Sequence, residues 1–184
     1  LKEDDNRYLI TTDDGNTLTA SNILIATGGT RLAAGAKLAG SLGHSLTPPV
    51  PSLFTFKIKD SRLNHLSGLS VEHTTVHIPG TKLTSQGPLL ITHWGMSGPG
   101  ILKISAWGAR QLSDMGYKFQ ISINWVPNED PQQIINKQRT EGGKRQVGTY
   151  SPFSDVPKRL WLSFLKAANI GDTTLWSQLT KPLT

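Results

Sequence analysis

Residues able to do chemistry are sparse in this chain, and three short stretches hold the candidates. The first is THWGMSGPG at residues 92–100, which sets Ser97 among Gly95, Gly98, Pro99 and Gly100. A serine on a strand-to-helix turn is the placement of a nucleophile elbow. That motif needs G-x-S-x-G, however, and Pro99 stands where its last glycine belongs. His93 precedes Ser97 by four residues, whereas the histidine of a catalytic triad comes from elsewhere in the chain. Glycines at the start of a helix also let backbone N–H groups meet an anion, so a phosphate cradle stays open. The plainest reading is a tight structural corner, with Gly95 supplying a permissive φ, Pro99 pre-setting the first helical turn and Ser97 capping it. The second stretch is ILIATGG at residues 23–29. Small residues at the carboxyl end of a buried strand are where doubly wound sheets are approached by a dinucleotide. Many buried strands end in glycine, so the run by itself identifies no ligand. The third is His73 and His77, on one face of an alternating run with few carboxylates around it. This is the pattern of a solvated strand face rather than of a metal site. No residue stands out as a general acid or base.

The elements that must position these residues are mostly strands. RYLITT, DDGN and TLTASNILIATGG read as a strand, a tight turn containing Asp14-Gly15 or Gly15-Asn16, and further strands. Asn22 to Ala26 is a continuous apolar run, as in a strand covered on both faces. AAGAKLAGSLGH predicts a short helix stopped at Gly43, and TPPVP at residues 47–51 breaks the chain. From Ser52 to Trp94 the pattern is β. SLFTFKI alternates, and Val71, His73, Thr75 and His77 are expected opposite Glu72, Thr74, Val76 and Ile78. A helix is predicted from Ser97 to Met115, with Gly116 as its stop, and a strand from Tyr117 to Trp125. Helices follow: Asp130 caps PQQIINKQRT, Asp155 and Pro157 open PKRLWLSFLKAAN, and Asp172 opens DTTLWSQL. The five tryptophans read as core and subdomain anchors rather than as a stacking platform.

Composition narrows the classes further. There is no cysteine, so disulfides, thiolate catalysis and thiolate-bound metal are excluded, and a reducing cytoplasm is the expected location. No apolar run approaches the length of a membrane span, and 18 Gly with 11 Pro suit many short strands. Acidic residues crowd the start (Glu3, Asp4, Asp5, Asp13, Asp14), so the rest of the chain carries the positive excess behind the net charge of +6. The cations are scattered singly apart from KQRTEGGKR at 137–145, so nucleic-acid binding is not the expectation. The sequence opens on strand-like residues without a methionine, and an excised piece of a larger protein is expected.

Five stretches occur in a telling order: ILIATGG, SLGHSLTPPVPSL, LSGLSV, GPLLITHWGMSGPGILKIS and SDVPKRLWLSFL. They resemble the bacterial aminoacetone oxidase-like, BaiN/YhiN-type NAD(P)/FAD-dependent oxidoreductase family, and Gly87 to Ser105 is the most specific part. The resemblance implies an α+β fold: a β-rich, barrel-like subdomain and a small helical subdomain, preceded by the last strands of an FAD-binding domain. It divides the chain into residues 1–46 (end of the FAD domain), 47–126 (β-rich insert with one helix) and 127–184 (helical insert). It implies a fragment of a flavin-dependent oxidoreductase, mainly the insert that shapes access to the flavin. FAD, NAD(P)H and a small-molecule substrate would be bound in the whole protein, and no cofactor by this piece alone. Ala26, Thr27 and Gly28 would touch the cofactor through backbone atoms. The G-x-G-x-x-G fingerprint is missing. The Gly/Thr-rich stretch usual after Thr-Gly-Gly is also shortened here, to Thr30-Arg31-Leu32. A non-catalytic module, meeting a protein or nucleic acid through its basic helical part, is the alternative.

Overall fold

The computed structural model describes residues 2–4, 7–28 and 34–179. Gly29 and the shortened stretch Thr30-Arg31-Leu32 lie outside the described residues. The chain divides into two compact units, Leu1–Val50 and Pro51–Thr184.

The first unit holds an antiparallel meander of β1 (Lys2–Asp4), β2 (Arg7–Thr11) and β3 (Thr17–Ala20), with Ile10 opposite Leu18. The β2–β3 connection is a five-residue loop, Thr12–Asn16, instead of the expected two-residue turn. Asp14 organises it: Thr12 Oγ1 donates to one carboxylate oxygen, and Asn16 Nδ2 donates to the other at 2.6 Å. These bonds, that of Thr12 first, hold the Asp14 carboxyl below its ordinary pKa. The expected buried strand at Asn22–Ala26 is not formed. Asn22–Gly28 carries no strand pairing and Leu24 is 89% exposed. A strand covered on both faces needs neighbours along both edges, and the described residues of this unit supply none. Helix α1 (Ala34–Ser41) runs close by. At Gly35 a Cβ would stand 2.0 Å from Thr27 Oγ1, so the helix approaches Ile25 and Thr27 through a residue with no side chain.

The second unit is α+β. Its sheet is a curled half-barrel, antiparallel throughout, in the order β4 (Phe56–Lys57), β7 (Gly95–Ser97), β6 (Thr84–Thr92), β5 (Ser70–His77), β8 (Ser122–Asn124). β5 does not alternate as its sequence suggests, because the β5–β6 register shifts between Val71 and Thr74. This bulge puts Val71, Thr74 and Val76 on the buried side and frees His73, which meets Asp155 Oδ2 at 2.7 Å. Thr74 satisfies its buried hydroxyl by donating to the Gly87 carbonyl at 2.8 Å.

One core cluster joins Phe56, Val76, Leu89 and Met96 of the sheet, with Ile78 just after β5, to α2 (Pro99–Trp107) and α3 (Ala109–Asp114) through Ile101, Ile104 and Leu112. The single helix expected from Ser97 to Met115 is thus two. They part at Gly108, where a Cβ would lie 2.5 Å from Leu83 Cδ1 and 2.9 Å from the Ile104 carbonyl. Only Ser122–Asn124 of the expected Tyr117–Trp125 strand pairs, yet Phe119, Ile121, Ile123 and Trp125 still turn toward this core. Phe54–Lys57 faces that segment through rings: Phe56–Phe119 centroids are 5.1 Å apart and Phe54–Tyr117 5.8 Å.

The second cluster joins the helical part to the sheet through Val71 and Ile91. α4 (Pro131–Glu141) starts at Asp130, whose carboxylate accepts from the Gln132 and Gln133 amides, so this expected cap is present. α5 (Lys158–Ala167) buries Leu160, Trp161 and Leu165 among Leu66, Val71, Ile91, Val147, Phe153 and Trp176. Trp161 stacks on Trp176 at 6.1 Å and donates from Nε1 to the buried Val147 carbonyl at 2.8 Å. The helix expected from Asp172 reduces to a 3-10 turn at Trp176–Gln178.

Candidate functional site

The glycine corner resolves into close backbone packing. β6 turns into β7 through His93-Trp94, with Thr92 opposite Gly95, so these two side chains occupy the tip of a two-residue hairpin. At Gly95 a Cβ would sit 2.0 Å from the Phe56 carbonyl oxygen, because β4 lies directly against it. Gly98, at φ +97°, would place a Cβ 2.7 Å from the Pro88 carbonyl oxygen. Gly98, not Ser97, is the N-cap of α2, and it makes no side-chain capping bond. Ser97 lies in β7 opposite Leu90, since the chain remains extended for one more residue before the helix starts. Its expected capping role is therefore not observed.

Two depressions flank the segment from Lys57 to Leu63. The first, about 1060 Å³, follows the open seam of the half-barrel between β4 and the Gln120–Ile123 segment. Its wall is aromatic and aliphatic (Phe54, Phe56, Phe119, Ile121), and Lys57, Lys59 and Arg62 also line it. The second, about 850 Å³, lies between Lys57–Ser67 and the hairpin tip at Thr92–Gly95. Asp60, shared by both, caps a 3-10 turn (Ser61–Leu63) by accepting from the Arg62 amide at 2.9 Å. The Arg62 side chain grips the same carboxylate through Nε at 3.0 Å and Nη2 at 2.6 Å. The Arg62 hydrogen bond holds the Asp60 carboxyl below its usual range, and Asp60 in turn raises the guanidinium. The pair is thereby internally neutral. Lys57 and Lys59 are exposed, and neither forms an ion pair among the described residues.

Both walls of the second depression are fixed from behind. The Ile58 amide donates to the Trp94 carbonyl at 3.0 Å. Ser163 Oγ on α5 donates to the Arg62 carbonyl at 2.5 Å, and Arg159 donates to the carbonyl of His65. His65 itself is left-handed, at φ +63°, a conformation that histidine tolerates better than most side chains.

The remaining candidates are scattered. Ala26, Thr27 and Gly28 lie in the exposed, unpaired stretch of the first unit, and Gly28 is at φ +79° with open space where a Cβ would be. His77 is held by the Leu83 carbonyl (3.2 Å) and Thr84 Oγ1 (3.0 Å), and His73 by Asp155. No three potential metal ligands converge among the described residues. Trp161 and Trp176 are core anchors as expected, and Trp125 packs against both clusters. Trp94 and Trp107 are not: they are 58% and 74% exposed. Trp94 sits on a turn that projects from the sheet, and Trp107 ends α2 where the helix leaves the core. His93 and Trp94 stand out in the sequence as a possible triad member and a core anchor, not as the tip of a hairpin. The available signal was the turn itself, which lacks the Asn-Gly or Asp-Gly chemistry that two-residue hairpins favour.

Known proteins place this architecture. Residues 50–182 match the family described as HI0933-like protein barrel and H2TH domain. A ribosomal RNA dihydrouridine synthase of Haemophilus influenzae is 31% identical over 136 residues, 70% of this chain and 32% of that protein. A 3-dehydro-bile acid delta(4,6)-reductase of Clostridium scindens is 26% identical over 167 residues, 85% of this chain and 41% of the relative. The ribosomal RNA dihydrouridine synthase of Escherichia coli is 27% identical over 172 residues, 88% and 40% of the two chains. The chain therefore spans between about a third and two fifths of the length of these curated relatives. With a barrel-like sheet and a helical part that together fill the matched region, the chain belongs to the HI0933-like barrel and H2TH domain family.

Proposed function

We propose that this chain is the central part of an FAD-dependent oxidoreductase, and that its second unit is the insert that shapes access to the flavin. The observation that carries the reading is the family match over residues 50–182, on a unit whose half-barrel opens in an aromatic-walled cleft with cations along it. Residues 1–46 then end the FAD-binding domain, 47–126 form the β-rich part of the insert and 127–184 its helical part. The bound flavin would supply hydride chemistry, which no side chain of this unit offers. The chain's own residues orient and enclose. Ala26, Thr27 and Gly28 are exposed, and Gly28 has open space where a Cβ would be, which fits the close approach of a planar group, while the pyrophosphate fingerprint is absent from the sequence. A substrate and NAD(P)H complete the proposed reaction of the whole protein.

Flavin absorbance tests this directly. The complete reading frame that contains this chain is expected to purify with bound flavin that NADH or NADPH bleaches. A complete protein that stays colourless after incubation with FAD overturns the reading. The 184-residue chain alone is expected to lose added FAD on gel filtration. Retention would show that it holds the cofactor unaided and is more than an insert.

A further inference from the structure

We propose that the depression between Lys57–Ser67 and the His93-Trp94 hairpin tip is a contact site for single-stranded RNA, with a base stacked on Trp94 and backbone phosphates on Lys57 and Lys59. This deepens the reading above by naming a substrate class for the same unit, and rests on that reading only for the reaction that follows binding.

The first argument is the tip. A two-residue hairpin usually ends in residues chosen for the turn, yet here it ends in histidine and tryptophan. Both are exposed, with ring centroids 6.5 Å apart. Trp94 keeps 58% of its surface in solvent, while its carbonyl is tied to the Ile58 amide and the next residue is locked against β4 by the absence of a Cβ. The result is an aromatic face held out on a rigid mount, which is what a stacking platform needs.

The second argument is charge. Lys57 and Lys59 line this depression together with the imidazoles of His65 and His93, which the fold brings in from elsewhere in the chain, and the only carboxylate among its described lining residues, Asp60, is paired with Arg62. The opposite wall is fixed to α5 through Arg159 and Ser163, with His65 in an uncommon backbone conformation that such clamping maintains. An acidic peptide would use the lysines and leave the tryptophan idle. Duplex RNA keeps its base faces covered, and only unpaired or splayed-out bases expose a face to stack. Two relatives are named for ribosomal RNA, which agrees with this class of occupant.

The test is fluorescence anisotropy of a labelled twelve-nucleotide oligouridylate with the 184-residue chain. A duplex RNA of equal length and poly-glutamate serve as competitors. Saturable binding of the single strand is expected, with duplex and poly-glutamate competing at least tenfold more weakly. Trp94→Ala should weaken binding roughly five- to tenfold and Trp94→Phe no more than about threefold, as stacking on an aromatic face requires. Lys57→Ala with Lys59→Ala should reduce the slope of log affinity against log salt by about 1.4, two single-strand phosphates at roughly 0.7 each. Because these side chains are exposed, the variants should unfold at the wild-type urea midpoint. A folded Trp94→Ala chain that binds as wild type overturns the proposal, as does equal competition by duplex. Tighter competition by poly-glutamate overturns it in favour of an acidic protein partner. Binding is read without flavin, so failure here and a colourless complete protein are separate results.

Discussion

Where β4 crosses behind the hairpin, the Phe56 carbonyl occupies the volume in which any side chain at position 95 would begin. Alanine there must push two paired backbones apart. Gly95→Ala is expected to cost about 3 kcal/mol or more in urea unfolding. Gly80→Ala, in a positive-φ turn with nothing within 4 Å, should cost about 1 kcal/mol, the left-handed penalty alone. Equal losses at both positions would show that the corner is looser than the distances indicate. Glycines and proline announce a corner in the sequence, so that much of it was legible. What they cannot announce is the neighbour: Phe56 and Pro88 are set by long-range strand order, and so is the fate of Ser97. The exposure of Trp94 was illegible for the same reason, since tryptophan is an apolar residue whose default place is a core.

At the scale of elements, α5 shows what periodicity reveals and what it omits. The sequence suggests an apolar stripe of Leu160, Phe164 and Ala167 or Ala168; Leu160 is buried and Phe164 half-buried, but both alanines are exposed and the buried face runs through Trp161 and Leu165 instead. The bond from Trp161 to the Val147 carbonyl joins α5 to a loop, and no local pattern encodes it. Trp161→Phe should retain most of the ring packing but strand that buried carbonyl, costing about 1–3 kcal/mol in the urea midpoint analysis. Trp107→Phe, at a site 74% exposed, should stay within about 0.5 kcal/mol of wild type. If the two substitutions cost the same, the Nε1 bond contributes nothing. Strands were the least legible elements. The bulge in β5 shifts the alternation by one residue halfway along, so a strict period of two assigns half the strand to the wrong face.

At the scale of the molecule, the break at TPPVP marks the boundary between two compact units. Chymotrypsin is expected to cut early at Leu46 and Leu53, which are 53% and 67% exposed, and to leave a resistant piece that continues toward the C-terminus. Early cuts inside β5 or β6 would contradict a compact second unit. The order of quoted stretches was enough to expect the barrel-and-helix family. The open seam was not readable, because it depends on which strands fail to meet. That seam also has a kinetic side. β5, β6 and β7 are sequence neighbours and pair through short connections, whereas β4 and β8 reach the sheet across several tens of residues. Distant pairings carry the larger loop-closure entropy and are joined late in folding. The cleft is thus bounded by the two strands whose pairings close the longest loops, so the contact of Phe56 with Phe119 across it belongs to the last steps of assembly.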